Sequence, residues 1–370
     1  MGFNDFYGNQ ETLHSLREML ARRHFPHALV LSGPAGAGKY MLALMLAKAL
    51  NCLAAPAGSP DFCGECANCM KIAQCDDLDA RFEEAVEARE GLREADRKDT
   101  RLFVQSHPDV LVIPPDPPQM MIKVAQVRQV IAGIYYRPSA GRERVYIFTA
   151  SAFMKEAANS LLKVLEEPPE FATLILLAEN PGELLPTIRS RCFHAILAPL
   201  PAAEVEALLA QRRPDWNPRQ RALVARLSGG AVGSALRFDL AAYVEARNHA
   251  LTVLNGALGA ADHSALFQAT EQYRAAADGK DKTGRLLRIL YGLLEDIMLV
   301  QSGAADLVRN PDIQPQIARL AAATDFAWLT RAAQGLAQVE AGMRRNLLQS
   351  LSLDAFATAL EPEAHPRTSA

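Results

Sequence analysis

The chain of 370 residues lacks most of the features that assign a protein at a glance. It has no excess charge of either sign. Its 39 Lys and Arg against 42 Asp and Glu leave a formal net charge of −3, so no global basic field argues for nucleic acid. It has no apolar run approaching the ~20 residues of a membrane span, so no membrane association is expected. Its opening residues, Met1-Gly2-Phe3-Asn4-Asp5, carry no basic segment leading into an apolar core, and Gly2 lacks the downstream Ser or Thr of a myristoylation site. A cytoplasmic location is therefore expected. There is no internal repeat and no low-complexity tract. Hydrophobic residues at 49% and charged residues at 22% suit a soluble globular protein of two or three domains.

What is present begins with Gly33-Pro34-Ala35-Gly36-Ala37-Gly38-Lys39-Tyr40, between the apolar run Ala28-Leu29-Val30-Leu31 and a helical pattern over residues 41–50. Strand, glycine-rich turn and helix are the setting of a phosphate-binding loop. Backbone N–H groups of the turn and the helix N-terminus face an anion, and a lysine adds a point charge. Gly33, Gly36, Gly38 and Lys39 are the candidate nucleotide-binding residues.

Two catalytic parts are missing around this loop. The residue after the lysine should be Ser or Thr, whose hydroxyl holds Mg²⁺, but it is Tyr40, whose phenol is too long and rigid for that place. The strand Val145-Tyr146-Ile147-Phe148 should end in acids that hold the metal and activate water. It continues Thr149-Ala150-Ser151-Ala152, and no Asp or Glu lies between Glu143 and Glu156. The two losses are independent, and together they imply a chain that does not hydrolyse ATP. The surviving Lys39 and glycines leave weak binding of ATP or ADP open.

The six cysteines are Cys52, Cys63, Cys66, Cys69, Cys75 and Cys192. The run Cys63-Gly64-Glu65-Cys66-Ala67-Asn68-Cys69, preceded by Cys52, supplies the four thiolates that tetrahedral Zn²⁺ takes. Four thiolates close the coordination shell, so the expected zinc is structural. Free buried thiols and an iron–sulfur cluster are the alternatives. Cys75 competes for the fourth position, but Cys52 has a helix end to fix it.

Along the chain, residues 4–24 read as an entry segment and a helix, with Leu13, Leu16, Met19 and Leu20 at helical spacing. Further helices are marked over 124–134 and 155–165, the last stopped by Glu166-Glu167-Pro168-Pro169. Apolar runs mark strands at Val110-Leu111-Val112-Ile113, at residues 145–148, at Thr173-Leu174-Ile175-Leu176-Leu177 and at residues 193–197. Alternating strands and helices predict a parallel sheet with helices on both faces. Residues 76–106 are dense in Asp, Glu and Arg and read as an exposed, ion-paired helix or hairpin. From Pro199 no strand-like run remains. A small helical domain with a glycine break at Gly229-Gly230 is expected first. Longer helices follow from about residue 241, with Leu286, Leu290, Leu293, Leu294 and Ile297, then Leu347, Leu348, Leu351, Leu353 and Phe356, at core-facing spacing. Residues 361–370, with little apolar content, read as a disordered tail.

The order of phosphate loop, cysteine cluster, His107-Pro108-Asp109, Ala157-Ala158-Asn159-Ser160-Leu161-Leu162-Lys163-Val164-Leu165-Glu166-Glu167-Pro168-Pro169 and Ser190-Arg191-Cys192 resembles the AAA+ clamp-loader subunits of bacterial DNA polymerase III, most of all their delta-prime branch. The resemblance is specific over about residues 1–200. It implies an α/β AAA+ phosphate-loop domain over 1–198 with a zinc-binding insert (52–75) and the charged insertion (76–106). A helical lid over 199–240 and an all-α collar over 241–360 would follow. It further implies a hetero-pentamer with delta and gamma/tau subunits that opens a sliding clamp and places it on primed DNA. In that assembly Arg191 would be an arginine finger acting in trans on a neighbour's ATP. Its alternative is a surface arginine suited to a helix end. No independent catalysis is expected, although the complex is part of a DNA-directed DNA polymerase, a nucleotidyltransferase. Active relatives carry a lid glycine followed by arginine; here the matching stretch, Gly229-Gly230-Ala231-Val232-Gly233-Ser234, has no arginine before Arg237.

Three readings follow: a non-hydrolysing clamp-loader subunit, an active motor ATPase of the gamma/tau type, and a zinc-dependent nucleic-acid-binding protein with a relict loop. Tyr40 and Thr149-Ala150 argue against the second. The acid-rich segment after the cysteines argues against the third, which wants a basic, aromatic surface.

Overall fold

A computed structural model describes residues 2–55, 60–259, 263–273, 279–344 and 349–361. The chain divides into two compact units, Met1–Val205 with Gly229–Leu236, and Glu206–Ser228 with Arg237–Ala370. The segment expected as a lid, 199–240, is thus shared between them.

The first unit runs α1 (Gln10–Ala21), β1 (Ala28–Ser32), α2 (Lys39–Asn51), α3 (Ala67–Ala73), α4 (Leu78–Glu90), α5 (Glu94–Asp99), β2 (Val104–His107), β3 (Val110–Ile113), α6 (Val124–Ile134), β4 (Arg144–Phe148), α7 (Lys155–Glu166), β5 (Ala172–Ala178), α8 (Pro186–Arg189) and β6 (Phe193–Ile196). The six strands form one sheet in the order β2-β3-β4-β5-β1-β6. All neighbours are parallel except β2 and β3, which pair antiparallel. The expected parallel sheet is present, with an antiparallel strand added at that edge. Val104-Gln105-Ser106-His107 is short and half polar, so its sequence reads as part of the charged insertion, yet it pairs with β3 through Val104 and His107.

Central strands are apolar on both faces because helices cover both. Leu29, Leu31, Val145, Ile147, Ile175 and Leu177 pack with α1, α2 and α3. Ala28, Val30, Phe148, Leu174 and Leu176 pack with α6, α7 and α8. β1 lies between β5 and β6, so the loop leaving its C-terminal end opens at the crevice where ligands settle in such sheets. The charged insertion forms two helices rather than a hairpin. α4 buries no residue, and Arg89 ties it to the buried Asp116 at 2.8 Å, which Lys123 also meets at 3.0 Å.

Helices α9 (Ala202–Arg212), α10 (Pro218–Leu227) and α11 (Val232–Leu236) follow, then α12 (Leu240–Gly256), α13 (Ser264–Glu271), α14 (Gly279–Gln301), α15 (Gln314–Ala323), α16 (Phe326–Arg344) and α17 (Gln349–Ala359). The second unit has its own core, in which Leu286, Leu290, Leu293 and Ile297 of α14 meet Leu254, Leu336, Leu353 and Phe356. Buried Arg247 bonds Asp312 through both terminal nitrogens at 2.7 and 2.6 Å, pinning the turn before α15. Leu347, Leu348 and the tail beyond residue 361 lie outside the described residues. Among the described residues no helix is long and apolar enough to cross a membrane.

Candidate functional site

The phosphate loop sits between β1 and α2. Gly36 and Gly38 have φ of +77° and +90°, a region L side chains avoid, and a Cβ on Gly38 would meet the Phe6 ring at 3.1 Å. The Lys39 ammonium is folded onto the loop, donating to the carbonyls of Gly33 at 2.5 Å and Pro34 at 2.8 Å. Burial lowers its pKa, against which the charges of Glu179 and Glu183 work. Residues 231–234 close over the same loop. Gly233 N–H donates to Gly36 O at 2.8 Å, Ser234 Oγ donates to Ala35 O at 3.2 Å, and a Cβ on Gly36 would collide with Ser234.

Tyr40 points away from this crevice. Its hydroxyl donates to Cys75 O at 2.7 Å, and burial, followed by the charges of Cys75, Asp76 and Asp79, pushes the phenol pKa well above its ordinary value. The residue at the metal-ligand position is therefore a strut between the loop's helix and the cysteine module. At the end of β4, Thr149 N–H donates to Ile113 O at 3.1 Å, and Ser151 Oγ bonds Glu183. Glu179 and Glu183, beyond β5, supply the acids near the loop.

The sulfurs of Cys52, Cys63, Cys66 and Cys69 all lie within 4.8 Å of one another. Cys52 and Cys63 sulfurs are 3.5 Å apart, too far for a disulfide at about 2.05 Å. Zn–S bonds of about 2.3 Å set tetrahedral S···S edges near 3.8 Å, so the spacing fits a single zinc-sized ion. Cys63 N–H donates to the Cys52 sulfur at 3.3 Å and Cys66 N–H to the Cys63 sulfur at 3.2 Å, donors that suit thiolates. Burial opposes the Cys66 thiolate, but N–H donors of Cys69 and Leu53 and the thiols of Cys69 and Cys63 outweigh it and bring its pKa to about 6. Burial pushes Cys52 and Cys69 up. Cys75 is outside the cluster, against Ser106 Oγ at 3.0 Å. Cys52 caps the end of α2 and Cys69 lies in α3, so a bound ion would join the two helices.

This module is tied to the sheet by side chains whose partners are distant in sequence. Asn51 Oδ1 accepts from the N–H groups of Arg142 and Glu143, and Asn68 donates to Asn51 O and Ala140 O. Asp109 accepts from the N–H groups of Ser139, Ala140 and Gly141 at 2.7–2.8 Å. His107 Nδ1 accepts from Asp109 N–H at 3.1 Å. His107-Pro108-Asp109 is therefore a structural turn.

Arg191 follows α8 on the surface. Nη1 donates to Thr187 O at 2.9 Å and Ser190 Oγ at 3.3 Å, and Nη2 donates to Glu166 Oε1 at 2.6 Å. Cys192 packs against the core, and burial raises its pKa to about 11. Arg191 and the phosphate loop are separate features of the first unit. Sequence reasoning missed Glu166, Ser234, Asn51 and Asp109 as partners. The motifs containing Glu166 and Asp109 and the lid stretch containing Ser234 were the signals available; Asn51 had none.

A family profile described as DNA polymerase III, delta subunit, matches residues 8–201, and one described as DNA polymerase III, delta subunit, C terminal, matches residues 241–355. DNA polymerase III subunit delta' of Yersinia pestis is 30% identical over 70% of this chain and 77% of its own length. The corresponding subunit of Pseudomonas aeruginosa is 33% identical over 63% of this chain and 61% of its own length. DNA polymerase III subunit tau of Escherichia coli K12 is 28% identical over 82% of this chain, which spans only 45% of that protein. Among solved structures, a gamma subunit-related protein of Thermotoga maritima is 15% identical with a TM-score of 0.39, covering 94% of this chain and 98% of that one. A profile across more than half of the chain, and a delta' relative aligned over most of its length, both lead to one conclusion: the chain belongs to the DNA polymerase III delta-subunit family.

Proposed function

We propose that this chain is a delta-prime-type subunit of a DNA polymerase III clamp loader. It has no working ATPase of its own and lends Arg191 to ATP held by a neighbouring subunit. One observation carries the reading: Tyr40, where a metal ligand belongs, has its hydroxyl committed to Cys75 O. The non-acidic end of β4 agrees with it. A guanidinium directed at a γ-phosphate stabilises the charge that develops in phosphoryl transfer, and its planar fork does so better than an ammonium. Delta and gamma/tau subunits are the partners, with the helices of 241–360 as the collar. The sliding clamp and primed DNA are met through the complex. Zn²⁺ on Cys52, Cys63, Cys66 and Cys69 would be structural, bracing the end of α2.

The test is DNA-stimulated ATP turnover by the reconstituted complex. Arg191→Ala should leave the subunit folded and assembled while slowing turnover, since an arginine finger contributes roughly 10³-fold or more at its own site. Unchanged turnover would count against the finger. The motor reading is favoured by the tau relative, whose similarity spans 82% of this chain. It requires the isolated chain to hydrolyse ATP in a manner abolished by Lys39→Ala, and no such turnover is expected.

A further inference from the structure

We propose that Glu166 is a positioning residue for Arg191, holding the guanidinium in the pose from which it meets a phosphate on a neighbouring subunit. This rests on the reading of Arg191 as an arginine finger.

The geometry is specific. α7 ends at Glu166 because Pro168 and Pro169 prevent its continuation, so the carboxylate is carried on the last residue of a packed helix. Leu161, Val164 and Leu165 of the same helix are buried. α8 is a four-residue turn started by Pro186 and anchored by buried Ile188. Arg191 is therefore reached from two rigid elements. Thr187 O and Ser190 Oγ take Nη1, and the Glu166 carboxylate takes Nη2 at 2.6 Å. A guanidinium has five N–H donors. None of these three bonds uses Nε, so Nε–H and a second Nη2–H remain to donate to a phosphate.

The pair is poorly placed to stabilise the fold. The side chains of Arg191 and Glu166 are 34% and 51% exposed, and an exposed ion pair adds little to stability. What it does instead is restrict a long, rotamer-rich side chain before docking, so that less freedom is lost when the neighbour's nucleotide arrives.

The experiment is steady-state ATP turnover by the complete complex on primed DNA, with kcat and KM separated. Glu166→Ala should lower kcat about three- to tenfold with KM for ATP unchanged, because the finger acts on the transition state and not on nucleotide binding. Glu166→Gln keeps an oxygen acceptor at the same reach and should retain most of the rate. Glu166→Asp is one methylene short and should behave like Glu166→Ala. In an Arg191→Ala background, Glu166→Ala should have no further effect. Slow Arg191→Ala with Glu166→Ala unchanged, faster, or altered only in KM overturns the positioning role and leaves the finger standing. Arg191→Ala with normal turnover overturns the finger itself, and this proposal with it.

Discussion

Putting a threonine back at position 40 should damage the chain rather than revive it. Tyr40 donates its hydroxyl to Cys75 O at 2.7 Å and packs its ring against the core around α2. Burial keeps the phenol protonated, so the bond holds at any working pH. Tyr40→Phe removes one neutral hydrogen bond, worth about 1 kcal/mol. Tyr40→Thr also removes a half-buried ring, adding roughly 1–2 kcal/mol, and its hydroxyl is too short to reach Cys75. Fluorescence cannot report this, because Trp216 and Trp328 both lie in the second unit. Amide hydrogen exchange over α2 and α3 can. At tenfold per 1.4 kcal/mol, Tyr40→Phe should speed exchange there by about fivefold and Tyr40→Thr by about thirtyfold or more. Neither variant should gain Mg²⁺-dependent ATP turnover, since β4 still ends without acids. Turnover gained by Tyr40→Thr and lost again with Lys39→Ala would refute the second missing part. Unchanged exchange in Tyr40→Phe would refute the strut.

Protein purified without chelator should carry about one zinc per chain, and Cys69→Ser should lose it and loosen α2 and α3 by hydrogen exchange; metal analysis finding none in the unmodified chain would remove the zinc reading. Asp109 provides a pH test. Burial raises its pKa, but the N–H groups of Ser139, Ala140 and Gly141 more than offset this and hold it below the usual carboxylate range. A depressed folded pKa gives stability that is present above the ordinary value near 4 and lost as pH falls through the folded value. Asp109→Asn should therefore cost about 1.5–3 kcal/mol at neutral pH, with the gap to the unmodified chain narrowing in acid. Urea unfolding of the first unit followed by circular dichroism would show it, and an equal gap at pH 7 and pH 3 would contradict the assignment.

Much of the fold was legible because its signals are local. Apolar runs of four to seven residues announce β1, β3, β4 and β5, and Pro168 ends α7 where it should. β2 was not legible. Its residues alternate too briefly, and its pairing with β3 depends on a neighbour that covers it, not on its own composition. The cysteine set was readable in full, three members from their spacing and Cys52 from the helix end that holds it, and Cys75 lies outside the cluster against Ser106.

By itself the sequence determined which side chains stand at the motif positions around the loop. No hydroxyl follows Lys39 at metal-binding length, and no Asp or Glu stands between Glu143 and Glu156, where β4 ends. It also determined the strand–loop–helix order that makes a phosphate loop recognisable, because glycine placement and apolar runs are properties of neighbouring residues. Only the tertiary structure decided what the replacing and flanking residues do instead. Tyr40 meets Cys75, 35 residues away, Arg191 meets Glu166, 25 residues away, and Ser234 meets Ala35, 199 residues away. Such contacts depend on the sheet order and on where helices end. Hydrogen bonds reach about 3 Å, so no pattern along the chain encodes them until the fold brings their partners together.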